Sequence, residues 1–187
     1  MRLEKWYEKG NTYEQYVADM KVNQAGLLNV YEQVTIEPGD QLFFSQLKEQ
    51  QLRVVCLTAD WCGDAMLCLP IMKRIAEVAS FEIRTLIRDE NLELMDQYLT
   101  NGKSRSIPIF IFINHAGEEV GVWGPRAAEV QAWIDDMRTT LPQSDHPDYE
   151  SKQKEMYRAF KHKITHDPAI WQDVISSIRS SMTSWNL

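Results

Sequence analysis

Apolar runs of strand length alternate with apolar stripes at helical spacing through the middle of the chain. Arg53-Val54-Val55-Cys56-Leu57-Thr58 is a β-favouring run, apolar enough for burial on both faces. It leads through Ala59-Asp60-Trp61-Cys62-Gly63-Asp64 into a stripe of Leu67, Ile71, Ile75 and Val78, with Cys68 and Met72 beside it. That spacing predicts a helix with one face on a core. Phe81 to Ile87 predicts a second strand. Asp89 or Asn91 can cap a following helix carrying Leu92, Met95 and Leu99 on one face, which Asn101-Gly102 stops in the left-handed conformation. Ile107 to Ile113 is the strongest strand of the chain. His115-Ala116-Gly117 turns it towards an antiparallel partner, Glu119 to Trp123. Val130, Trp133, Ile134, Met137 and Leu141 then stripe another helix. The order predicts an α/β fold, a central mixed sheet flanked by helices with a hairpin at one edge.

The flanks read differently. Tyr13 to Met20 and Leu27 to Tyr31 have helical character, as does Asp40 to Gln50 after a break at Pro38-Gly39. Beyond Pro142, Gln143 to Pro147 reads as a linker, and Met156, Phe160 and Ile164 mark a helix. Asp167-Pro168 fits a cap followed by a first-turn proline. Trp171, Val174, Ile175, Ile178 and Met182 then form an apolar stripe, expected to bury against the chain's own core, the more frequent outcome, or against another subunit. The expected organisation is a helical N-terminal extension (1–50), an α/β core (51–141) and a helical C-terminal extension (142–187).

Composition narrows the partners. A net charge of −7 over 187 residues provides no basic face for nucleic acid. No apolar stretch reaches the roughly 18 residues of a membrane span, and the first residues lack the apolar core of a secretory signal. Three cysteines are too few for a disulfide framework. A soluble, cytoplasmic protein is expected, with no sign of its oligomeric state.

Chemistry concentrates at Cys62, where a strand runs into a helix. Unpaired amides and the helix dipole there favour thiolate over thiol. Gly63 removes side-chain bulk beside the sulfur and permits close approach by a partner backbone. Asp64, in the first turn, opposes the thiolate by like charge.

Ala59 to Asp64 resembles the active-site turn of the thioredoxin family. Pro70 falls where that family has its helix-kinking proline. Ser106-Ile107-Pro108 resembles the segment holding its cis-proline, and Gly121 to Gly124 the turn before its last helix. Arg88 to Asn91, Leu94 to Asp96, Tyr98 to Gly102 and Trp123 to Arg126 resemble a bacterial thioredoxin-like subfamily with helical extensions. The resemblance covers about residues 51 to 140 and implies a thioredoxin-like fold. It also implies a cis bond at Pro108 that turns the Ile107 backbone towards Cys62, and a partly exposed Trp61.

The departures are as specific as the matches. The family's second, resolving cysteine is here Ala65. Its buried acid, five positions before the tryptophan, is Cys56, and the proline inside its motif is Asp64. Cys68 lies six residues after Cys62, about 9 Å along a helix, beyond the roughly 7 Å that a disulfide spans between Cα atoms. Cys68 and Cys56 are therefore expected to be core residues.

The resemblance thus implies a monothiol thiol-disulfide oxidoreductase in which Cys62 attacks. Trp61, Gly63, Asp64, Ile107 and Pro108 would bind the substrate, a protein or small-molecule thiol or disulfide, and dithiol activity is expected to be weak or absent. The alternative is a peptide-binding module without turnover. A peroxide-reactive thiol ranks last, since no companion base or arginine is identifiable. No cofactor is implied. His162 and His166, spaced by four, are expected at a helix break as solvated side chains rather than metal ligands.

Overall fold

A computed structural model describes residues 2–185; Met1, Asn186 and Leu187, at the outer ends of the two extensions, lie outside the described residues. The elements of the first half are α1 (Glu4–Lys9), β1 (Asn11–Thr12), α2 (Tyr13–Asp19), α3 (Gln24–Gln33), α4 (Pro38–Ser45), β2 (Arg53–Thr58) and α5 (Gly63–Ala79). Those of the second half are β3 (Glu82–Ile87), α6 (Leu92–Met95), β4 (Ile109–Ile113), β5 (Glu119–Trp123), α7 (Ala128–Thr139), α8 (Tyr149–His166) and α9 (Pro168–Thr183).

The strands form one mixed sheet in the order β1-β3-β2-β4-β5. Strands β2 and β3 run parallel through the α5 crossover, with Val54 opposite Ile83 and Leu57 opposite Leu86. Strand β4 runs antiparallel to β2, and the β4–β5 hairpin slips register between Phe112 and Ile113. Because successive side chains point to opposite faces, Val54, Cys56, Phe110 and Phe112 join the core beneath α5 and α9. Val55, Leu57, Ile109 and Ile111 join a second core beneath α1 and α6. Helices on both faces explain why these strands are apolar at every position.

Both ends of the chain are built into this body. Strand β1 pairs with β3, Asn11 opposite Thr85, and forms one edge of the sheet, adding a strand to a segment whose sequence reads as helical only. Two residues are too short to show alternation. The apolar side of α9, including Trp171, Ile175 and Ile178, buries on the sheet-side core. Asp167 caps α9, its Oδ1 accepting from the Ala169 N–H at 2.9 Å. Asp40 on α4 accepts from Arg179 Nη1 at 2.9 Å and Gln172 Nε2 at 2.8 Å, tying the two extensions together.

Four local expectations are corrected. The helix after Asn91 is a single turn that buries Leu94 and Met95, leaves Leu92 at the surface and omits Leu99. The chain instead turns back, Thr100 bridging Ser104 through the left-handed Asn101 and Gly102. Strand β4 begins at Ile109 rather than Ile107, since Pro108 has no N–H to give to a ladder. Pro38-Gly39 begins α4 rather than preceding it, and Gln46–Gln50 tightens into a 3₁₀ turn. Helix α8 runs unbroken to His166, so His162 and His166 share a face with their rings stacked at 4.6 Å. Among the described residues no group of three or more His, Cys, Asp or Glu side chains is placed to hold a metal, and no helix is long and apolar enough to cross a membrane.

Candidate functional site

The chain leaves β2 and tightens at Ala59, whose carbonyl accepts from the Cys62 N–H at 3.1 Å; it then enters α5 with Cys62 as the N-cap. The N-terminal extension braces this turn. Asp60 Oδ2 accepts from the Lys21 and Val22 N–H groups at 2.8 and 3.3 Å, while Asn23 Nδ2 donates to the Asp60 carbonyl at 2.8 Å.

Opposite the turn, the Ile107–Pro108 peptide is cis. The Cys62 thiol donates to the Ile107 carbonyl at 3.3 Å. Gly124 makes this approach of loops possible: its φ of +125° lies outside the range of L side chains, and a Cβ there would run into the Pro108 carbonyl. Cys62 and Ile107 thus meet, with Pro108 behind them.

Cys62 is only 8% exposed. Burial pushes its thiol above the ordinary range, and the Asp64 charge adds to this; the Ala65 and Asp64 N–H groups and the Arg126 charge pull the other way. The net direction is upward. A helix start alone favours the anion, but desolvation outweighs it here. Trp61, in contrast, is 52% exposed, with the Arg88 guanidinium 4.7 Å above its ring.

Gly63 faces the chain itself. A Cβ at this position would come within 2.8 Å of Phe160 Cε1, so α8 occupies the space beside the glycine. Asp64 binds Arg126 bidentately, with Nε–Oδ1 at 2.7 Å and Nη2–Oδ2 at 2.5 Å. The two side chains are only 13% and 17% exposed. Arg126 also donates to Gln131 Oε1. Arg126 carries no mark of its role in the sequence beyond its place directly after Gly124-Pro125. The one available signal is the buried acid at Asp64, which needs a cation. It supplies the arginine near Cys62 that the sequence did not identify.

Two clefts of about 520 and 510 Å³ meet at Trp61, Cys62, Asp64 and Arg126. The first is walled by α7 and α8 through Met137, Tyr157, Phe160 and Lys161. The second is walled by Arg88 and the Ser104–Ile107 segment. Helix α8 shows in the sequence as an amphipathic stripe, but its seat over the cysteine turn does not. All three cysteines are free. Cys56 and Cys68 are fully buried, which pushes both thiols well up. Ala65, one turn into α5, is buried as well.

The family model described as thioredoxin matches residues 10–138, more than half of the chain. The chain belongs to the thioredoxin family. The match begins within the N-terminal segment and so takes in β1 and helices α2, α3 and α4, but not α1. Among solved structures, a protein of unknown function from Pseudomonas aeruginosa has the same fold at a TM-score of 0.66 and 14% identity, over 96% of this chain and 98% of that one. An HIV epitope scaffold matches at 0.64 and 13% identity, over 96% and 99%. A thioredoxin from Fasciola hepatica matches at 0.34 and 25% identity, over 49% of this chain and 85% of that one. No match to a curated protein was found.

Proposed function

We propose that this thioredoxin-family chain is a monothiol thiol-disulfide oxidoreductase of the cytoplasm, and that its working residue is Cys62. The observation that carries the reading is the thiol at the start of α5, in no disulfide and set against the Ile107 carbonyl. As the thiolate, Cys62 attacks one sulfur of a protein or small-molecule disulfide. A Cys62–S–S–R bond forms, the substrate S–S bond breaks, and the second sulfur departs as thiolate. An external thiol, as its thiolate, then attacks the substrate-derived sulfur of the adduct; a new disulfide forms between those two sulfurs, the bond to the Cys62 sulfur breaks, and Cys62 leaves as thiolate. The external thiol is the reductant, because Ala65 offers none. Trp61 and the backbone at Ile107 border the incoming group, and Asp64 acts through Arg126 rather than on substrate.

The test is catalysed exchange between a small mixed disulfide and a reduced thiol. Acceleration should vanish in Cys62→Ser and survive in Cys68→Ala. Two-electron turnover abolished by Cys68→Ala would instead identify an internal resolving thiol and sink the monothiol reading.

A second reading, a binding module without turnover, draws support from the burial of Cys62. It predicts that Cys62→Ser keeps full affinity for any captured partner, whereas covalent capture requires the sulfur.

A further inference from the structure

Three arginines line the second cleft in a chain whose net charge is −7. The roughly 510 Å³ space is lined by Arg88, Arg105 and Arg126 together with Cys62, Ser104 and Ser106. We propose that this cleft accepts small disulfides bearing carboxylates, which the three arginines recognise while a substrate sulfur is presented to Cys62. The proposal rests on the monothiol reading and adds the chemical class of its substrate.

The arrangement of charges supports it. Arg88 Nη2 meets Asp89 Oδ1 at 2.7 Å, and Arg105 meets both oxygens of Asp96 at 2.6 and 2.9 Å. Asp89 and Asp96 are about half exposed and lie outside the lining. Arg105 is as exposed as Asp96, whereas Arg88 and Arg126 are the more enclosed cations of the lining, with side chains 21% and 17% exposed. Asp64 is the acid in the wall, and Arg126 already holds it. Each guanidinium has five N–H donors, of which a bidentate carboxylate takes two. Arg88 Nη1 also donates to the Arg105 carbonyl at 3.1 Å, fixing the two arginines relative to each other. The Ser104 and Ser106 side chains provide hydroxyl groups at the same wall.

Size and access point the same way. The volume lies within the roughly 300–1,000 Å³ of small-molecule sites. Trp61, which also lines the cleft beside Cys62, is 52% exposed, so the cleft is open to solvent at the sulfur. In the reaction, the substrate S–S bond breaks as Cys62–S–S–R forms, and the carboxylate-bearing thiolate leaves past the arginines. An external small thiol then releases Cys62.

The test compares three dialkyl disulfides of similar size: dithiodiglycolate (anionic), bis(hydroxyethyl) disulfide (neutral) and cystamine (cationic). Adduct formation at Cys62 is followed by peptide mass spectrometry, each rate being normalised to a free model thiol. At low salt the anionic rate should exceed the cationic rate at least tenfold, and the ratio should fall as salt rises. Arg105→Gln should shrink the ratio, and Asp96→Asn, which removes an outer acid, should enlarge it. A ratio near one, or one indifferent to both substitutions, overturns the proposal. If no disulfide, the neutral one included, modifies Cys62, the monothiol reading fails. The cleft is then judged on Cys62→Ser titrated with dithiodiglycolate by NMR. Saturable shifts of arginine Nε–H resonances, not reproduced by cystamine, support the anion site, and their absence overturns it.

Discussion

Cys62 and Cys68 sit six residues apart along one helical stretch, yet they occupy different chemical worlds. Cys62 caps α5 at the meeting of two clefts, with a carbonyl 3.3 Å from its sulfur and backbone N–H groups that favour its anion. Cys68 lies in the body of the helix, fully buried, 4.0 Å from the Pro125 carbonyl. Burial pushes both thiols upward and the Arg126 charge opposes it at both, but only Cys62 also has the Ala65 and Asp64 N–H groups pulling it down. A residue type therefore does not define a reactive group here. Reactivity depends on whether the sulfur lies where the helix backbone still has donors to offer and a partner can enter.

The largest test of this contrast is Arg126→Ala. It leaves the largely enclosed Asp64 carboxylate without its cation, and should cost about 3 kcal/mol by denaturant unfolding. It should also push the Cys62 thiol further up, visible as slower alkylation at neutral pH. Unchanged stability would mean that Asp64 is solvated and that Arg126 does not shape the site.

Gly63→Ala comes next. Its Cβ would press on Phe160, and overpacking of this kind costs roughly 1–3 kcal/mol. Combined with Phe160→Ala, the loss should be largely relieved, since the clash is with that ring. A double variant as unstable as the single one would place the strain elsewhere. Cys68→Ala should cost about 1 kcal/mol, the effect of deleting one buried methyl-sized group, and should leave Cys62 labelling intact.

The pH dependence is smaller and more diffuse. The thiols of Cys56, Cys62 and Cys68 are raised in the folded chain relative to an unfolded value of about 8.5. The unfolded chain therefore ionises first. Stability is fully present below that value and declines as pH rises above it. Tyr13, Tyr16 and Tyr98, all raised mainly by burial, extend the loss above about pH 10. Denaturant midpoints measured from pH 7 to 11 should fall on the alkaline side, and less so when Cys68 is alanine. Cys62 alkylation should still be accelerating at pH 9, whereas a plateau near pH 7 would indicate a depressed thiol.

The sequence disclosed the parts of the fold that repeat a period. Every strand of the sheet except β1 could be read from apolar runs, and α5, α7, α8 and α9 from their stripes, because burial imposes that spacing. The single turn at Leu92–Met95 was not legible: the chain reverses through the left-handed Asn101 and Gly102 while apolar residues continue at helical intervals. At the site, Cys62, Trp61, Ile107 and Pro108 could be picked out because a cysteine turn and a proline segment carry local signatures. Arg126 and Phe160 could not, since each acts at a distance, Arg126 at 62 residues from Asp64 and Phe160 from α8 onto Gly63. The direction of the Cys62 shift was also hidden, because it is decided by how much water the surrounding elements exclude.

The account turns on whether Cys62, alone among the three cysteines, can be captured reversibly. The direct measurement is exposure of the folded chain to excess bis(hydroxyethyl) disulfide, followed by intact-mass and peptide mass spectrometry before and after a reduced thiol is added. One adduct per chain, located on Cys62 and removed by the thiol, is the expected result. No adduct on the native chain, or a bond between Cys62 and Cys68 in its place, would contradict it.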